Sequence, residues 1–342
     1  RVAALWGRGA RRTTAWRATL YLGLASMVLL AALLMIGTQA GFTFSGLKDF
    51  MAGGRELAHA ELIGALLIAG FGTLISLFPF HSWAAPAYAS APPPVAMMHA
   101  GVLKKFGLYG LFMFQPLMET GFLPWTNILL VLLVCNVIWV GYVTVNQKRL
   151  DLLLGNSSVM HMGYIFLAFA ALVASGSAEA NPWALKGAAL LMLAHGLTIA
   201  LLFLLCGQIE KQTGTLEINS LGGLSTRLPR MAFVFGLAGM ASIGLPGLAN
   251  FPGEFMVFFS GFAGFNDSFG PVQIATILCL WGLVIGAVYM LRAYRNIFQG
   301  DLSKAAAYAT ELLPSERAAN YFLTITLAVF GFFPTLVLQF FS

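Results

Sequence analysis

Apolar segments of about 20 residues follow one another along the whole chain, separated by short polar connections. A helix rises about 1.5 Å per residue, so each segment is long enough to cross the roughly 30 Å hydrocarbon core of a bilayer. Charged residues make up 9% of the chain, whereas soluble domains carry about a quarter. We therefore predict an all-α, polytopic membrane protein of about nine transmembrane helices. The predicted spans are 17–38, 60–79, 93–115, 125–145, 155–175, 183–206, 229–263, 273–295 and 319–340.

The basic residues indicate how these spans are oriented. If the segment before the first span is cytoplasmic, alternate connections are cytoplasmic too, and that side holds 14 of the 19 Lys and Arg residues. This bias follows the positive-inside rule and supports the nine-span count. The net charge of +6 is explained by topology, so we expect a lipid bilayer and no nucleic acid as partner. The 14 residues are Arg1, Arg8, Arg11, Arg12, Arg17, Lys148, Arg149, Lys211, Arg227, Arg230, Arg292, Arg295, Lys304 and Arg317.

Proline and glycine interrupt two of the spans. In "TLISLFPFHSWAAPAYASAPPP" (73–94), prolines and small residues end the helix, and "SIGLPGLANFPGEF" (242–255) contains the proline–glycine pairs Pro246–Gly247 and Pro252–Gly253. These residues cannot continue a regular helix. Irregular backbone at membrane depth is tolerated where it is buried in protein or lines a wet cavity, and transporters place ion sites at such breaks. We therefore expect two broken helices.

Six ionisable side chains fall well inside the predicted spans: His99, Lys104, Lys105, His161, His195 and Glu254. A charge at the centre of a membrane helix costs about 2.5–3.5 kcal/mol or more, so these residues need partners or a function. Lys104 and Lys105 project about 100° apart and should face different neighbours. Lys105 lies roughly 18 Å into its span, which is too deep for its ammonium group to reach the interface easily.

Each of these residues alone also has a structural explanation. A membrane histidine can make an interhelical hydrogen bond, a lysine can belong to a structural ion pair, and Glu254 can cap the half-helix that follows the second break. His59 and His81 lie at span edges, where the structural interpretation is favoured. Together, two histidines, a lysine and a glutamate on four spans indicate a proton relay. Histidine titrates near neutral pH, and burial brings lysine and glutamate towards that range.

Other chemistry has no support in the sequence. There is no dinucleotide-binding or P-loop glycine motif and no nucleophile elbow. Cys135, Cys206 and Cys279 fall inside apolar spans without metal-ligand spacing, so we expect buried free thiols. We therefore predict neither a cofactor nor a metal in this chain.

Four stretches resemble the antiporter-like subunits of respiratory complex I, in the same order and over nearly the whole chain. They are "HSWAAPAYASAPPPVAMMHAGVLKKFGLYGL" (81–111), "NSSVMHMGYIFLAF" (156–169), "LMLAHGLTIALLFLLCGQI" (191–209) and "SIGLPGLANFPGEFMVFFSGF" (242–262). The resemblance is strongest to the M-type subunits of bacterial NADH–quinone oxidoreductase, the mitochondrial chain-4 type. It implies a single membrane domain with an antiporter-like inverted-repeat fold. Residues 1–120 are then the remainder of a first helix repeat, 121–300 a second repeat and 301–342 a C-terminal helix.

The resemblance implies a proton-translocating subunit whose driving redox chemistry takes place in partner subunits, which hold the NADH site, FMN, iron–sulfur clusters and quinone site. The expected partners are neighbouring antiporter-like subunits and a hydrophilic redox arm. The expected location is the bacterial inner membrane, or else the mitochondrial inner membrane. Two alternatives stay open: an Mrp-type cation/proton antiporter or ion-coupled uptake subunit, and a scaffold subunit that has lost pumping.

The resemblance also assigns roles by position. Lys105 falls on the family's buried proton-carrying lysine, and His161 and His195 fall on links of its hydrophilic axis. Glu254 falls on a glutamate at a broken helix near the outward proton exit, which favours the M-type because sibling subunits usually have a lysine there. His99 fits the L-type pattern better.

Departures from the family pattern affect the input half of this relay. Family members usually carry a lysine on the first broken helix, where this chain has Leu74, followed by Ser76 in place of a proline. In the family, a glutamate on the preceding helix acts on that lysine, and here it is expected upstream of Arg1. Because the chain begins with Arg rather than Met, we expect it to be part of a longer protein. A second family histidine is replaced by Tyr88. We hypothesise that Lys104 supplies a substitute charge.

Overall fold

The computed structural model describes residues 2–263 and 269–341, and throughout these ranges the regular structure is helical. A single isolated bridge between Arg149 and Glu217 is the extent of β-pairing in the described residues. The α-helices are α1 Val2–Trp6, α2 Arg11–Ala40, α3 Phe44–Ala52, α4 Ala60–Ile75, α5 Ala84–Ser90, α6 Pro93–Met98, α7 Lys104–Met113, α8 Thr126–Val145, α9 Leu150–Ser175, α10 Pro182–Thr213, α11 Pro229–Ser242, α12 Asn250–Ser260, α13 Pro271–Phe298, α14 Pro314–Phe332 and α15 Thr335–Leu338.

Within these ranges, five helical stretches are long and apolar enough to cross a membrane: Arg11–Ala40, Gln115–Val145, Leu150–Ser175, Pro182–Thr213 and Pro271–Phe298. A shorter apolar helix, Ala60–Ile75, coincides with the second predicted span. The other predicted spans fall on helices that are shorter or interrupted. The prediction of an all-helical, polytopic membrane protein with broken helices is confirmed.

Helix α9 is the centre of the bundle. It packs against α5, α8, α10, α12 and α13, and nearly all of its residues are buried. A helix that is apolar on every side is expected in such a position. Small residues allow the close approach: a side chain on Gly163 would collide with Val137 of α8. Helix α9 also carries His161, so the packing of α9 determines which residues the His161 ring can contact.

The outer helices present large apolar side chains to their surroundings. Leu24 and Met27 of α2 and Trp281 of α13 are 64%, 70% and 60% exposed. A soluble protein rarely leaves such surfaces open, whereas a bilayer covers them. The exposed faces therefore agree with a membrane-spanning bundle.

Both predicted breaks are present. Helix α4 ends at Ile75, and Ser76 turns the chain with a φ of 71°. Helix α11 ends at Ser242, and α12 begins at Asn250 after a turn in which Gly244 and Gly247 have positive φ values of 78° and 92°. Glycine adopts this left-handed conformation without steric cost, which explains its use in the second turn.

A third irregularity is not predicted from the sequence. Between α6 and α7, residues His99–Leu103 form a π-helical turn that leads directly into Lys104. Gly101 in this turn approaches Gly196 of α10 so closely that a side chain on either residue would press on the backbone of the other. Such π-turns are often found at functional sites.

Candidate functional site

Five of the six predicted site residues are buried in the bundle. Lys104, Lys105, His161, His195 and Glu254 each expose 8% of their surface or less. They come from α7, α9, α10 and α12, helices near the contact between Gly101 and Gly196 and near the second break.

The two lysines face different partners, as predicted. The ammonium Nζ of Lys104 donates to the carbonyl oxygen of Ser158 on α9 at 3.3 Å and lies 5.6 Å from the ring centre of Tyr88. The Nζ of Lys105 donates to the Ala100 carbonyl oxygen within the π-helical turn. Lys105 also lies against α10, because a Cβ on Gly196 would be 4.0 Å from its Cε. Lys105 and His195 are close enough to interact electrostatically.

His161 and His195 stack on one another. Their ring centres are 5.0 Å apart and the ring planes differ by 19°. The Nε2 atom of His195 lies 3.3 Å from the hydroxyl of Ser158, the residue whose carbonyl receives Lys104. Ser158 therefore joins one lysine to one histidine.

His161 has an arrangement that responds to protonation. Its Nδ1 lies 2.8 Å from the Ser157 carbonyl oxygen and its Nε2 lies 2.9 Å from the Ser242 carbonyl oxygen. Carbonyl oxygens only accept hydrogen bonds, so both contacts are hydrogen bonds when both ring nitrogens carry hydrogen. Loss of the proton breaks one of the two contacts. When the proton is lost from Nε2, the broken contact is the one to Ser242, which ends α11 at the second break.

Glu254 lies on the other side of that break. A side chain on Gly244 would overlap its Oε2, so the carboxyl group lies directly on the turn. Its Oε1 is buried and has no hydrogen-bond partner within residues 2–263 and 269–341. The carboxyl group borders a pocket of about 350 Å³ that is otherwise lined mainly by phenylalanine and leucine side chains, among them Phe251, Phe255 and Leu280. The arrangement suits a carboxyl group that exchanges a proton.

Several hydroxyl and amide groups of the site are missed by reasoning from charge alone. Tyr289 and Ser157 share a hydrogen bond of 2.7 Å between their hydroxyl oxygens, and Tyr164 packs its ring edge-on against His161 at 5.5 Å. The Thr198 hydroxyl donates to Asn250 Oδ1 at 3.0 Å beside the second break. Ser157, Tyr164, Thr198 and Asn250 could have been found from their three- and four-residue spacing from His161, His195 and Glu254, which places them on the same helix faces. Tyr289, on α13, has no such signal.

His99 is not brought together with the histidine pair. It is partly buried, and its ring lies 5.7 Å from Trp83 and 5.4 Å from Tyr88. Tyr88 also contacts Lys104, so His99 is on the Lys104 side of the site. Of the two edge histidines, His59 is exposed before α4, whereas His81 stacks on Phe78 at 5.4 Å and is close enough to Lys104 to interact electrostatically.

Metal-ligand clustering is not found in the parts of the chain that the structure describes: no three His, Cys, Asp or Glu side chains lie together there in a way that could hold an ion. The chemistry that the site offers is proton transfer among lysine, imidazole, carboxyl and hydroxyl groups.

The sequence of residues 2–310 matches the profile of one protein family, described as NADH:quinone oxidoreductase/Mrp antiporter, TM. The chain belongs to this family. The buried lysine, histidine and glutamate side chains described above can therefore be compared with those of other members of the family.

Two family relatives are cyanobacterial. The chain is 33% identical over 346 residues to the NAD(P)H-quinone oxidoreductase chain 4 1 of Synechococcus elongatus, covering 98% of this chain and 62% of the relative. It is 34% identical over 304 residues to the chain 4-2 protein of Synechocystis, covering 87% of this chain and 52% of the relative. The chain thus spans less than two thirds of the length of these relatives.

Two solved structures share the fold. A chain of respiratory complex I from Thermus thermophilus with bound NADH superposes with a TM-score of 0.87 at 25% identity, over 99% of this chain and 69% of that one. A chain of the membrane-bound sulfane sulfur reductase, an archaeal respiratory membrane complex, gives a TM-score of 0.80 at 21% identity, over 98% and 65%. The second likeness concerns the fold alone.

Proposed function

We propose that this chain is a proton-translocating membrane subunit of a complex I-like NADH–quinone oxidoreductase. The observation that supports the proposal is a group of buried titratable side chains inside one bundle: Lys105 packed against α10, the stacked His161 and His195, and Glu254 on the turn of the second break. Ionisable groups at membrane depth that face the protein interior mark ion pathways. The similarity to chain 4 proteins of NAD(P)H-quinone oxidoreductases supports the same function.

The proposed roles run from Lys105 through the histidine pair to Glu254. Lys105 holds a proton in the middle of the membrane and passes it to the histidine pair. His161 receives the proton while its Nε2 is hydrogen-bonded to the Ser242 carbonyl oxygen. Glu254, on the other side of the second break, then accepts the proton and passes it towards the outer side of the membrane. Lys104 and His99 lie together around Tyr88 and form the input side. Because residue 74 is leucine rather than lysine, Lys104 supplies the positive charge on the input side.

The chain crosses the membrane nine times in this proposal, with its first residue on the cytoplasmic side. The long helices, the interrupted helices α11–α12 and α6–α7, and the distribution of Lys and Arg support that count. Within this single membrane domain, residues 1–120 are the remainder of one inverted repeat, 121–300 form the second, and 301–342 form a C-terminal helix.

The partners are other antiporter-like membrane subunits and a hydrophilic arm that holds FMN, iron–sulfur clusters and the NADH site. Quinone is reduced by those partners, and this chain converts the energy released into proton movement. The cyanobacterial relatives support a bacterial inner membrane rather than a mitochondrial one.

A second candidate is an Mrp-type cation/proton antiporter component or an ion-coupled uptake subunit, because the family description includes Mrp antiporters. The same relay would then exchange ions without redox chemistry. Affinity purification of the full-length protein from its native membrane separates the candidates. Copurifying quinone reductase subunits favour the first, and copurifying Mrp subunits favour the second.

The decisive experiment replaces Glu254 by Gln in the full-length chain of the purified assembly, reconstituted in liposomes. The amide keeps the shape of the side chain but cannot carry a proton, so the number of protons moved per electron should fall while quinone reduction continues. Glu119→Gln, at an exposed site, is the matched control and should keep the normal ratio. A normal ratio in the Glu254 variant would contradict the proposal.

The Leu74 departure motivates a third candidate, a scaffold subunit that does not pump. Lys104→Met tests the input side in the same liposome assay. If Lys104 supplies the missing charge, the proton ratio falls. An unchanged ratio in Lys104→Met excludes that role, and an unchanged ratio in both Lys104→Met and Glu254→Gln leaves the scaffold function.

A further inference from the structure

Tyr164 lies between the histidine pair and the helix that carries Glu254. It follows His161 on α9, and the two rings meet edge-on at 5.5 Å with planes at 80°. On its other side the Tyr164 ring meets Phe258 at 5.2 Å. Phe258 is four residues after Glu254 and therefore lies on the same face of α12. Tyr164 thus spans the distance from His161 to the α12 surface where the carboxyl group is attached.

The hydroxyl group of Tyr164 is fully buried, and nothing within the described parts of the chain forms a hydrogen bond with it. An unpaired buried hydroxyl costs about 1–3 kcal/mol, so a native protein that retains one calls for an explanation. Glu254 Oε1 is in the same situation. One group can donate and the other can accept, and the two are close enough to interact electrostatically.

Gly282 makes room for this hydroxyl group. A Cβ at position 282 of α13 would overlap the Tyr164 oxygen. The neighbouring Tyr289 provides a comparison, because its hydroxyl also lies near Glu254 but is already bonded to Ser157 at 2.7 Å. Of the two tyrosines, Tyr164 has the hydroxyl that is available to the carboxyl group.

We propose that Tyr164 is a positioning residue for proton transfer between His161 and Glu254, which the charged residues alone do not reveal. The inference rests on the proposed function. The Tyr164 hydroxyl donates a hydrogen bond to the ionised Glu254 carboxylate and so holds the accepting carboxylate in position on the His161 side of α12. In the transfer an N–H bond of the His161 imidazolium breaks and an O–H bond on Glu254 forms, while the tyrosine keeps its own proton and no electrons are exchanged.

The test compares Tyr164→Phe, Glu254→Gln and the double variant in the reconstituted full assembly, with Tyr142→Phe at an exposed site of α8 as control. Phenylalanine removes an unpaired hydroxyl, so assembly should be normal. The number of protons moved per electron should fall to the Glu254→Gln value. The double variant should lose no more than either single one, because both changes interrupt the same step. Tyr142→Phe should behave as the unmodified protein.

Three results would overturn the inference. A normal proton ratio in Tyr164→Phe would show that the hydroxyl takes no part. Failure of Tyr164→Phe to assemble would show that the hydroxyl has a structural role instead. Additive losses in the double variant would place the two residues in separate steps. If Glu254→Gln itself pumps normally, the proposed function fails, which is a distinct outcome.

Discussion

The two helix breaks differ in what receives their freed backbone groups. At the first break, Asn136 of α8 donates to the Ser76 carbonyl at 3.3 Å and accepts from the Phe78 N–H at 2.5 Å. Trp83 donates to the Thr73 carbonyl at 3.0 Å. Amide and indole groups do not titrate, so this break is held in one way at any pH near neutrality.

At the second break, the freed carbonyl of Ser242 is bound by His161, which can gain or lose a proton. The turn also touches Glu254, whose Oε1 has no partner in the described residues. We therefore propose that the two broken helices serve different purposes. The first break holds the chain in one fixed turn, and the second has a hydrogen bond, between His161 and Ser242, that depends on proton occupancy.

The largest expected effect comes from His161→Gln. Glutamine can still donate to the Ser242 carbonyl but cannot titrate, so the protein should assemble while proton transfer slows on the order of 100-fold. Proton uptake by liposomes that contain the assembly measures this rate. His59→Gln, at an exposed edge, is the control. Normal translocation in His161→Gln would remove the distinction between the two breaks.

Asn136→Ala should lower stability and leave proton transfer unchanged, the opposite of His161→Gln. It leaves the Phe78 N–H without its partner, which destabilises the protein by about 1–3 kcal/mol. The melting temperature and the yield of assembled complex should fall, while complexes that do assemble keep the normal number of protons per electron. A lowered ratio in fully assembled complexes would show that the first break also takes part in transfer.

Gly244→Ala tests the second turn directly. Its φ of 78° is left-handed, which costs an alanine roughly 1–2 kcal/mol, and the new Cβ would displace the Glu254 carboxyl group. We expect moderate destabilisation and a proton ratio between those of the unmodified protein and Glu254→Gln. Thermal unfolding and liposome pumping measure the two effects. If stability falls and pumping is untouched, the position of the carboxyl group against the turn is unimportant.

Ser76→Gly is the matched change at the first turn and should have the smallest effect. Ser76 has a φ of 71°, so glycine relieves strain, but it also adds freedom to the unfolded chain. The two terms oppose one another, and stability should change by no more than about 1 kcal/mol. Pumping should be unaffected. A clear loss of pumping would contradict the view that this break is only structural.

Much of the fold could be predicted because lipid allows few solutions. Long apolar segments predict spanning helices, and the prolines in 73–94 and the proline–glycine pairs in 242–255 indicate both breaks. The π-helical turn at His99–Leu103 carries no such mark, since it depends on how closely Gly101 meets α10. Backbone geometry set by a tertiary contact cannot be predicted from local sequence.

The charged part of the site could be predicted for the same reason. Lys104, Lys105, His161, His195 and Glu254 are conspicuous at membrane depth because charge there is costly. Tyr164, Tyr289, Ser157 and Asn136 are polar without being charged, and such residues are common in membrane helices. Their roles depend on which partners the bundle brings within reach. The charge of His99 predicts a place in the relay but not which end: its ring lies with Trp83 and Tyr88, on the Lys104 side.

Infrared difference spectroscopy of the assembled complex tests the central distinction most directly. Spectra are recorded with and without turnover, and the carboxylic-acid C=O stretching region is compared among the unmodified protein, Glu254→Gln and Ser76→Gly. A proton-dependent second break predicts a band that is present in the unmodified protein and in Ser76→Gly and is missing from Glu254→Gln. Identical carboxyl spectra in all three would show that Glu254 keeps the same protonation state during turnover, and would contradict its place in the relay.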